Sequence, residues 1–246
     1  AARRIQMTQM PQLVALFNGV GGGAAALVSI VEYLHLGEDA STGEVLATVF
    51  TVLVGSVSFS GSIITFLKLQ ELMTTRPVVF PGGRFVIAAT LAGALGTSGW
   101  VIASGGTTPL LVLAGLSLLF GVLFVLPVGG ADVPIVISLL NAFTGLTVAA
   151  SGYVLQSTLL IVAGTLVGAS GTILTRKMAE AMGRSLFGTL FGAFTAKPQA
   201  ASEAGEVRPV KSGSPDDVAI LLNYAQRVVI VPGFGLAVAQ AQHTVR

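Results

Sequence analysis

Cysteine is absent from the 246-residue sequence, and charged residues are few. Without cysteine the chain has no disulfide bonds, no thiolate catalysis and no cysteine-containing metal site. Charged residues make up 10% of the chain, against about 25% in an ordinary soluble domain. The formal net charge is only +2, and no basic run is interleaved with aromatic residues, so nucleic acid is not an expected partner. We also expect no metal site.

Long apolar stretches occupy most of the remaining sequence. Between Phe85 and Thr175 the single charged residue is Asp132, and a soluble fold could not keep so long an apolar stretch dissolved. Hydrophobic residues make up 53% of the chain. The sequence therefore predicts an integral membrane protein that is embedded in the lipid bilayer. Its 31 glycines favour helices that pack backbone against backbone.

Six apolar stretches are long enough, or nearly so, to cross a bilayer, which requires about 20 helical residues. They lie at residues 12–34, 45–67, 85–104, 109–127, 133–156 and 158–175. Loops that carry Lys or Arg alternate with loops that carry acidic residues or no charge. Because cytoplasmic loops of membrane proteins carry an excess of Lys and Arg, we expect both termini to face the cytoplasm.

The last part of the chain has a different composition. Residues 196–215 are rich in Pro, Gly, Ser and Ala and lack apolar periodicity, which indicates a flexible linker. The segment "DDVAILLNYAQ" (216–226) then predicts a short capped helix, and "RVVIVPG" (227–233) predicts a buried strand. This strand runs into a Gly-x-Gly turn, Gly233 to Gly235, that is typical of pyrophosphate binding in dinucleotide-binding domains.

The predicted architecture is an all-α polytopic membrane helix bundle of about six spans, followed by the truncated start of a Rossmann-like α/β domain. Residues 1–177 form the transmembrane domain, 178–215 an amphipathic segment and the linker, and 216–246 the start of the nucleotide-binding domain. These last 31 residues are too few to close such a sheet. The chain also begins without Met, so we expect a fragment.

Polar residues inside the predicted spans are candidates for function. Asp132 precedes Pro134 at the start of the fifth span, so it is either a helix cap or a functional acid. Asn141 lies about 13 Å deeper along a helix, where it either joins helices by hydrogen bonding or takes part in conduction. We expect one small helical face to turn toward other helices, and it comprises Ser138, Asn141, Gly145, Ala149 and Gly152.

Two rows of small residues indicate close packing. The row on the second span forms two i, i+4 pairs on nearly opposite sides of a helix, and consists of Ser56, Ser58, Ser60 and Ser62. That helix should be central in the bundle, with most of these hydroxyls bonded back to carbonyls of their own helix. The row on the sixth span follows i, i+4, i+7 spacing and predicts a close-packed face at Gly164, Gly168 and Gly171.

Five stretches resemble one membrane protein family across nearly the whole chain. They are "MTQMPQLVALFNGVGGGAAAL" (7–27), "GSVSFSGSIITFLKL" (55–69), "GGADVPIVISLLNAFTG" (129–145), "LLIVAGTLVGASGTIL" (159–174) and "VIVPGFGLAVAQAQH" (229–243). On these motifs the chain resembles the beta subunit of the proton-translocating nicotinamide nucleotide transhydrogenases. The resemblance implies a proton-conducting membrane domain followed by an NADP(H)-binding domain.

The resemblance also implies partners and a location. In this family an alpha subunit binds NAD(H), and hydride passes directly between the two nucleotides while a proton crosses the membrane. We therefore expect an alpha subunit partner, a dimer of the whole complex, and a bacterial plasma membrane. Further transmembrane helices ordinarily precede the "MTQMP" motif in this family, and the fragment is expected to be inactive alone, with no catalytic residue of its own.

The family's functional residues map onto both parts of the chain. Asp132 matches the Gly-Gly-Ala-Asp motif at the cytoplasmic mouth of the proton path, Asn141 matches a residue that lines the path, and Ser138 lies on the same face. In the nucleotide domain the expected NADP(H)-binding residues are Gly233, Phe234, Gly235 and Val238. Val238 stands where the general fingerprint has its third glycine, and Phe234 stands where Tyr is expected.

The family's intramembrane histidine has no counterpart in the expected place. That histidine lies near the start of the span that begins here at about Glu44. It suits proton conduction because imidazole titrates near neutral pH. The chain has only His35, in the predicted outer loop, and His243, in the predicted nucleotide domain. Either Glu44 takes the role as a buried acid, or another subunit supplies the group.

Two other functions are open at this point. A secondary transporter with a cytosolic regulatory nucleotide domain would have two similar halves, and no convincing repeat relates residues 12–84 to residues 85–175. A passive membrane anchor for an NADP-binding protein would not need the small polar face around Asn141.

Overall fold

The computed structural model describes residues 9–37, 40–183, 185, 186, 188 and 214–231. The chain divides into two compact units, residues 9–196 and residues 1–8 with 197–246. The helices are α1 (Met10–Leu36), α2 (Thr42–Leu69), α3 (Gly83–Ser104), α4 (Thr107–Val125), α5 (Val133–Val154), α6 (Thr158–Ala181) and α7 (Pro215–Tyr224), with a 3-10 turn at Gly130–Asp132. Helices α1 to α6 are each long and apolar enough to cross a bilayer. The six predicted spans are therefore confirmed.

Local sequence signals explain where several of these helices begin. Ser41 and Glu44 form a capping box at the start of α2, in which the Glu44 amide donates to Ser41 Oγ at 3.3 Å and the Ser41 amide donates to Glu44 Oε2 at 2.9 Å. Proline occupies the first turn of both α1 and α5, where its missing N–H costs no hydrogen bond. Gly105 (φ 65°) and Gly106 (φ 91°) form the tight connection between α3 and α4.

Helix α2 lies at the centre of the first unit. It packs against α1, α3, α4 and α5, and 67% of its most apolar stretch is buried, against 22% for α6. The serine row predicted this central position, which is confirmed. The outward faces of the bundle are apolar, as Phe17, Leu159 and Leu166 show with exposures of 63%, 77% and 65%. Such surfaces suit the hydrocarbon of a bilayer.

Glycines bring α5 and α6 into backbone contact. Gly164, Gly168 and Gly171 are all buried on α6. A Cβ atom on Gly145 of α5 would lie 2.6 Å from the Gly168 nitrogen, and one on Gly171 would lie 3.0 Å from Ala142 Cα. No larger side chain fits at these distances, so the predicted close-packed face is confirmed.

The second unit is described from Ser214 to Val231 and contains α7. Ser214 caps this helix: its hydroxyl accepts from the Asp217 amide at 3.2 Å, and its amide donates to Asp217 Oδ2 at 2.8 Å. The predicted capped helix is therefore confirmed. The predicted buried strand is wrong for its described part, residues 227–231, which have no strand pairing and are exposed. A strand needs a neighbour to satisfy its amides and carbonyls, and the described part of this unit offers none.

Candidate functional site

A buried cluster of polar side chains joins three of the membrane helices. Asn18 of α1 donates through Nδ2 to Ser62 Oγ at 2.9 Å and to Ser58 Oγ at 3.3 Å, both on α2. Ser58 Oγ in turn donates to the Leu140 carbonyl at 3.1 Å and lies 2.5 Å from Thr144 Oγ1, both on α5. Either hydroxyl of the Ser58–Thr144 pair can be the donor, and when the single Ser58 proton is directed at the Leu140 carbonyl the donor is Thr144. We call Asn18, Ser58, Ser62 and Thr144 the polar cluster.

Small residues make these contacts possible. Asn18 is followed on its helix by Gly19 and Gly22, and both face α2. A Cβ atom on Gly19 would lie 3.1 Å from Ser62 Cβ, and one on Gly22 would lie 3.0 Å from Ser58 Cβ. On the α2 side, a Cβ atom on Gly55 would lie 2.7 Å from the Gly22 carbonyl oxygen. The two backbones therefore approach closely enough for the short Asn18 side chain to reach both serines.

The chemistry of the polar cluster suits the transfer of a proton along hydrogen bonds. Hydroxyl and amide groups both donate and accept, and burying them in a membrane is costly unless they are paired. Among the described residues the Asn18 Oδ1 atom is buried with no hydrogen-bond partner. This oxygen therefore points to a place where a water molecule or a further donor completes the network. None of the four side chains titrates near neutral pH, so the polar cluster itself cannot store a proton.

Sequence reasoning singled out Asn141 as the membrane asparagine but missed Asn18. The same signal, a lone asparagine in an apolar span, applied to both. It also expected most hydroxyls of the serine row to bond back to their own helix. That expectation is wrong for Ser58 and Ser62, which bond to other helices, and holds for Ser60, which donates to the Ser56 carbonyl at 3.0 Å.

Asn141 lies on the outside of the bundle formed by the described residues. The predicted small face of α5 does turn inward at Ser138, Gly145 and Gly152, which are buried, and Ala149 is half-buried. Asn141 is exposed, because it is rotated about 60° from Ser138 around a helix of 3.6 residues per turn. The expectation that it lies inside this bundle is therefore wrong.

Ser138 joins a different pair of helices. Its Oγ atom accepts from Thr175 Oγ1 of α6 at 2.9 Å, and both side chains are buried. Thr144 of the polar cluster lies six residues further along α5, which corresponds to about 9 Å. Ser138 therefore lies nearer the Asp132 end of α5 than the polar cluster does.

Asp132 is buried at the end of the 3-10 turn, with 9% of its surface exposed. It occupies the position before α5, but its backbone is in the right-handed helical region (φ −93°, ψ −8°), and its side chain accepts no capping hydrogen bond from the described α5 backbone. An N-cap residue normally has an extended backbone. A helix cap therefore does not explain this buried carboxylate.

Glu44 lies at the opposite end of α2 from Lys68 and acts as a capping residue. Its Oε2 atom accepts from the Ser41 amide at 2.9 Å and from the Ser41 hydroxyl at 2.7 Å. Fourteen residues separate Glu44 from Ser58, so Glu44 lies about 21 Å from the polar cluster along the helix axis. His35 is also remote, because it is exposed in the last turn of α1 with Nδ1 2.9 Å from the Val31 carbonyl.

Lys68 is a buried charge that sequence reasoning placed in a loop. It is fully buried, and its Nζ atom donates to the carbonyls of Val125, Leu126 and Val128 at 3.1, 2.6 and 2.8 Å. The helical spacing contained a signal, since Gly61, Ile64 and Thr65 of α2 are buried on the face that Lys68 continues.

The residues expected to bind the nucleotide lie in the last part of the chain. Gly233, Phe234, Gly235, Val238 and His243 lie outside the described residues. Within the ranges that are described, no group of three or more His, Asp or Glu side chains is placed to bind a metal ion.

The whole chain is similar to known proteins. A family model described as NAD(P) transhydrogenase beta subunit matches residues 1–246. The chain is 39% identical over 254 aligned residues to a Rhodospirillum rubrum protein named NAD(P) transhydrogenase subunit beta, and equally to its counterpart from a named strain of that species. Each alignment covers 100% of this chain and 55% of the relative. The chain thus spans about half the length of the curated relatives it matches.

Proposed function

Because the chain belongs to the NAD(P) transhydrogenase beta subunit family, we propose that it forms the proton-conducting part of a membrane transhydrogenase. The whole protein would couple hydride transfer between NAD(H) and NADP(H) to the movement of a proton across the membrane. The observation that carries this proposal is the polar cluster, in which side chains of α1, α2 and α5 form continuous hydrogen bonds inside an apolar bundle. A passive anchor or a transporter built from two similar halves gives no account of it.

The proposed path has the polar cluster at its middle and Asp132 at one mouth. A buried carboxylate at a helix start can exchange a proton with the neighbouring aqueous phase, whereas amides and hydroxyls can only relay one. Ser138, on α5 between Asp132 and Thr144, extends the path toward Asp132. Glu44 lies at the other end of α2 and is proposed as an acid at the outer mouth.

Asn141 is proposed to face the path from a surface that another part of the protein covers. An exposed amide in the middle of an apolar span is costly in lipid and normally faces protein or a water-filled cavity. The cover would come from helices of the complete protein or from its alpha subunit. The ionisable group that the path requires would then lie on that cover, since none of the polar cluster side chains titrates near neutral pH.

The remaining expectations concern the complete protein. We propose that the second unit begins a Rossmann-like NADP(H)-binding domain with the Gly233–Gly235 turn at its phosphate site, and that the alpha subunit binds NAD(H). The backbone would approach the pyrophosphate at Gly233, Phe234, Gly235 and Val238. A bulky residue in place of either glycine would prevent this approach. The complex is proposed to be dimeric and to lie in a bacterial plasma membrane with both ends of this chain on the cytoplasmic side.

Proteoliposomes that contain the complete protein with its alpha subunit test this function. A pH-sensitive dye inside the vesicles should report a proton gradient when NADPH reduces an NAD⁺ analogue, and an uncoupler should abolish that gradient. Asn18→Ala and Asp132→Asn should slow the coupled reaction in intact vesicles. Hydride transfer at an unchanged rate without any uncoupler-sensitive pH change would contradict the proposal.

A further inference from the structure

Lys68 is a buried cation whose described neighbours include no carboxylate partner. The ion pairs among the described residues are those of Arg176 and Lys177 with Glu180 on the surface of α6. Lys68 instead directs its ammonium at three neutral carbonyl oxygens, those of Val125, Leu126 and Val128. An ammonium group has three donors, and all three are thus satisfied.

These carbonyls lie at the last residue of α4, at its C-cap residue Leu126, and at Val128 just beyond. The helix dipole places partial negative charge at this end of α4, so a positive charge is favourable there. The Lys68 side chain extends from the last turn of α2 and adds a charged donor to carbonyls of which two, those of Val125 and Leu126, also accept a backbone amide. It therefore acts as a C-terminal cap that a neighbouring helix contributes to α4.

The capped carbonyls lead directly into the loop that carries Asp132. Residues 126–132 connect α4 to α5, and we call this segment the α4–α5 loop. Two backbone hydrogen bonds also attach the loop to the segment that follows α2. The Val78 amide donates to the Leu126 carbonyl at 3.1 Å, and the Gly130 amide donates to the Thr75 carbonyl at 2.9 Å. The Asp132 amide closes the turn by donating to the Gly129 carbonyl at 2.9 Å.

We propose that Lys68 is the positioning residue for Asp132. Its ammonium fixes the start of the α4–α5 loop to the end of α2, and this attachment sets the depth and direction of the Asp132 carboxylate at the mouth of the bundle. The polar cluster is carried by the same helix, since Ser58 and Ser62 also lie on α2. Lys68 therefore holds the mouth and the middle of the proposed path in a fixed relation. The effect on turnover, though not the effect on the loop, rests on the proposed function.

A cysteine reporter in the loop tests the attachment itself. The chain has no cysteine, and Val128 in the loop is buried, with 2% of its surface exposed. Val128→Cys is introduced into the complete protein, with any cysteine outside this chain replaced by serine, and its labelling rate with a membrane-impermeant maleimide is measured in vesicles. Lys68→Met should raise the rate by about tenfold or more, because it removes all three charge-assisted hydrogen bonds, and the loss of one changes an equilibrium by about that factor.

Three further variants keep the result interpretable. Lys68→Arg retains a charged donor and should restore slow labelling, whereas Lys68→Gln, which lacks the charge, should not. Lys177→Met removes an exposed lysine at the end of α6 and should leave the rate unchanged. If Lys68→Met does not accumulate in the membrane, the Gln and Arg variants decide. Wild-type labelling in Lys68→Gln, or in a folded Lys68→Met, overturns the inference.

Coupled turnover of the same variants separates this inference from the proposed function. We expect Lys68→Met to slow proton-coupled hydride transfer and Lys68→Arg to recover it in parallel with the labelling rate. Faster labelling with normal turnover would show that Lys68 holds the loop but that the position of Asp132 does not affect turnover. Normal labelling combined with a slow Asp132→Asn variant would overturn the role of Lys68 and leave the proposed function standing.

Discussion

Ser58 and Ser60 differ by two positions in sequence, yet their hydroxyls have different roles. Ser58 connects α2 to α1 and α5, whereas Ser60 donates to the Ser56 carbonyl within its own helix. Both side chains are buried. The pair therefore offers a matched comparison between a hydroxyl that joins helices and one that does not.

Ser58→Ala should destabilise the bundle and slow coupled turnover, and Ser60→Ala should do neither. The first change removes the hydroxyl partner of Thr144 and leaves Asn18 with Ser62 alone, at a cost of about 1–3 kcal/mol for a buried unpaired group. The second change removes only a back-bond within one helix. Thermal unfolding in detergent and proton uptake by proteoliposomes measure the two effects. Equal losses in both variants would mean that the polar cluster has no special role.

Asn141→Ala makes a distinct prediction at the residue scale, because the side chain is exposed in the described bundle. The stability of this chain alone should change by less than about 0.5 kcal/mol, as for most exposed positions. Coupled turnover of the complete protein should nevertheless fall, because the amide would face the covered side of the proposed path. A large loss of stability in the isolated chain would place Asn141 inside this bundle, contrary to the structure.

At the scale of helices, α5 and α6 are held together by glycine contacts rather than by large apolar side chains. A Cβ atom on Gly164 would lie 2.6 Å from the Gly145 carbonyl oxygen, whereas one on Gly96 of α3 would meet nothing within 4 Å. The two positions therefore differ in the space around them and share the same residue type in an apolar helix.

Gly164→Leu should separate α5 from α6 and destabilise the bundle by about 1–3 kcal/mol or more, since backbone cannot yield as a flexible side chain can. Gly96→Leu is the control and should be tolerated. The measurement is the unfolding midpoint of each variant in detergent. Equal midpoints would show that the helices shift apart without cost, and that the glycine face is not required.

Helix α7 gives a pH-dependent prediction. Hydrogen bonds from the Ser214 backbone amide and hydroxyl lower the pKa of Asp217. Because the folded pKa lies below the unfolded value of about 3.9, the stabilisation is complete above that value and is lost as the pH falls through the folded pKa.

Amide hydrogen exchange in the first turn of α7 measures this loss. Protection, corrected for intrinsic exchange rates, should be lower at pH 3 than at pH 6. Ser214→Ala should reduce protection at pH 6 and weaken the pH dependence, because the backbone amide of residue 214 still donates to Asp217, whereas Asp217→Asn should remove the pH dependence. Protection that does not change with pH in the original chain would show that Asp217 does not contribute to the cap.

Helices were predicted better than contacts. The spans of α1 to α6 followed from apolar length. The central position of α2 followed from serines on two sides of one helix, because polar side chains on either side are unfavourable against lipid. The strand predicted at 227–231 from its Val-rich sequence is not formed, since β-propensity depends on a partner that the described residues do not provide. The spacing of buried residues on α2 signals the inward direction of Lys68. The carbonyls that Lys68 meets and the outward direction of Asn141 depend on which helices lie beside α2 and α5, and a single sequence does not contain that information.

At the scale of the whole molecule, the charges of the first unit are arranged asymmetrically. Arg76 lies in the connection between α2 and α3, and Arg84 lies in the first turn of α3. Arg176 and Lys177 lie in the last two turns of α6, on the same side of the bundle. The other side carries Glu44 and the uncharged Gly105–Gly106 connection. By the positive-inside rule this asymmetry supports the proposed orientation, in which the basic side faces the cytoplasm.

Single cysteines test this orientation. Thr74→Cys, in the loop between α2 and α3, should react with an impermeant maleimide in inverted vesicles but not in intact cells. Thr107→Cys, at the start of α4, should show the opposite pattern, and both positions are exposed. The reversed result would place the ends of this chain outside the cytoplasm, away from the nucleotides.

The convergence of hydrogen bonds on Ser58 has a kinetic consequence for the proposed path. A proton that passes along a row of hydroxyls leaves every O–H in the row pointing the opposite way, so a second proton cannot follow until the hydroxyls rotate back. Ser58 has one proton and two acceptors within reach, the Leu140 carbonyl and Thr144 Oγ1, and a hydroxyl rotates about its C–O bond. Conduction through Ser58 would therefore alternate between hopping and resetting, and the reset, which moves no net charge along the path, would limit how soon each proton can follow the last.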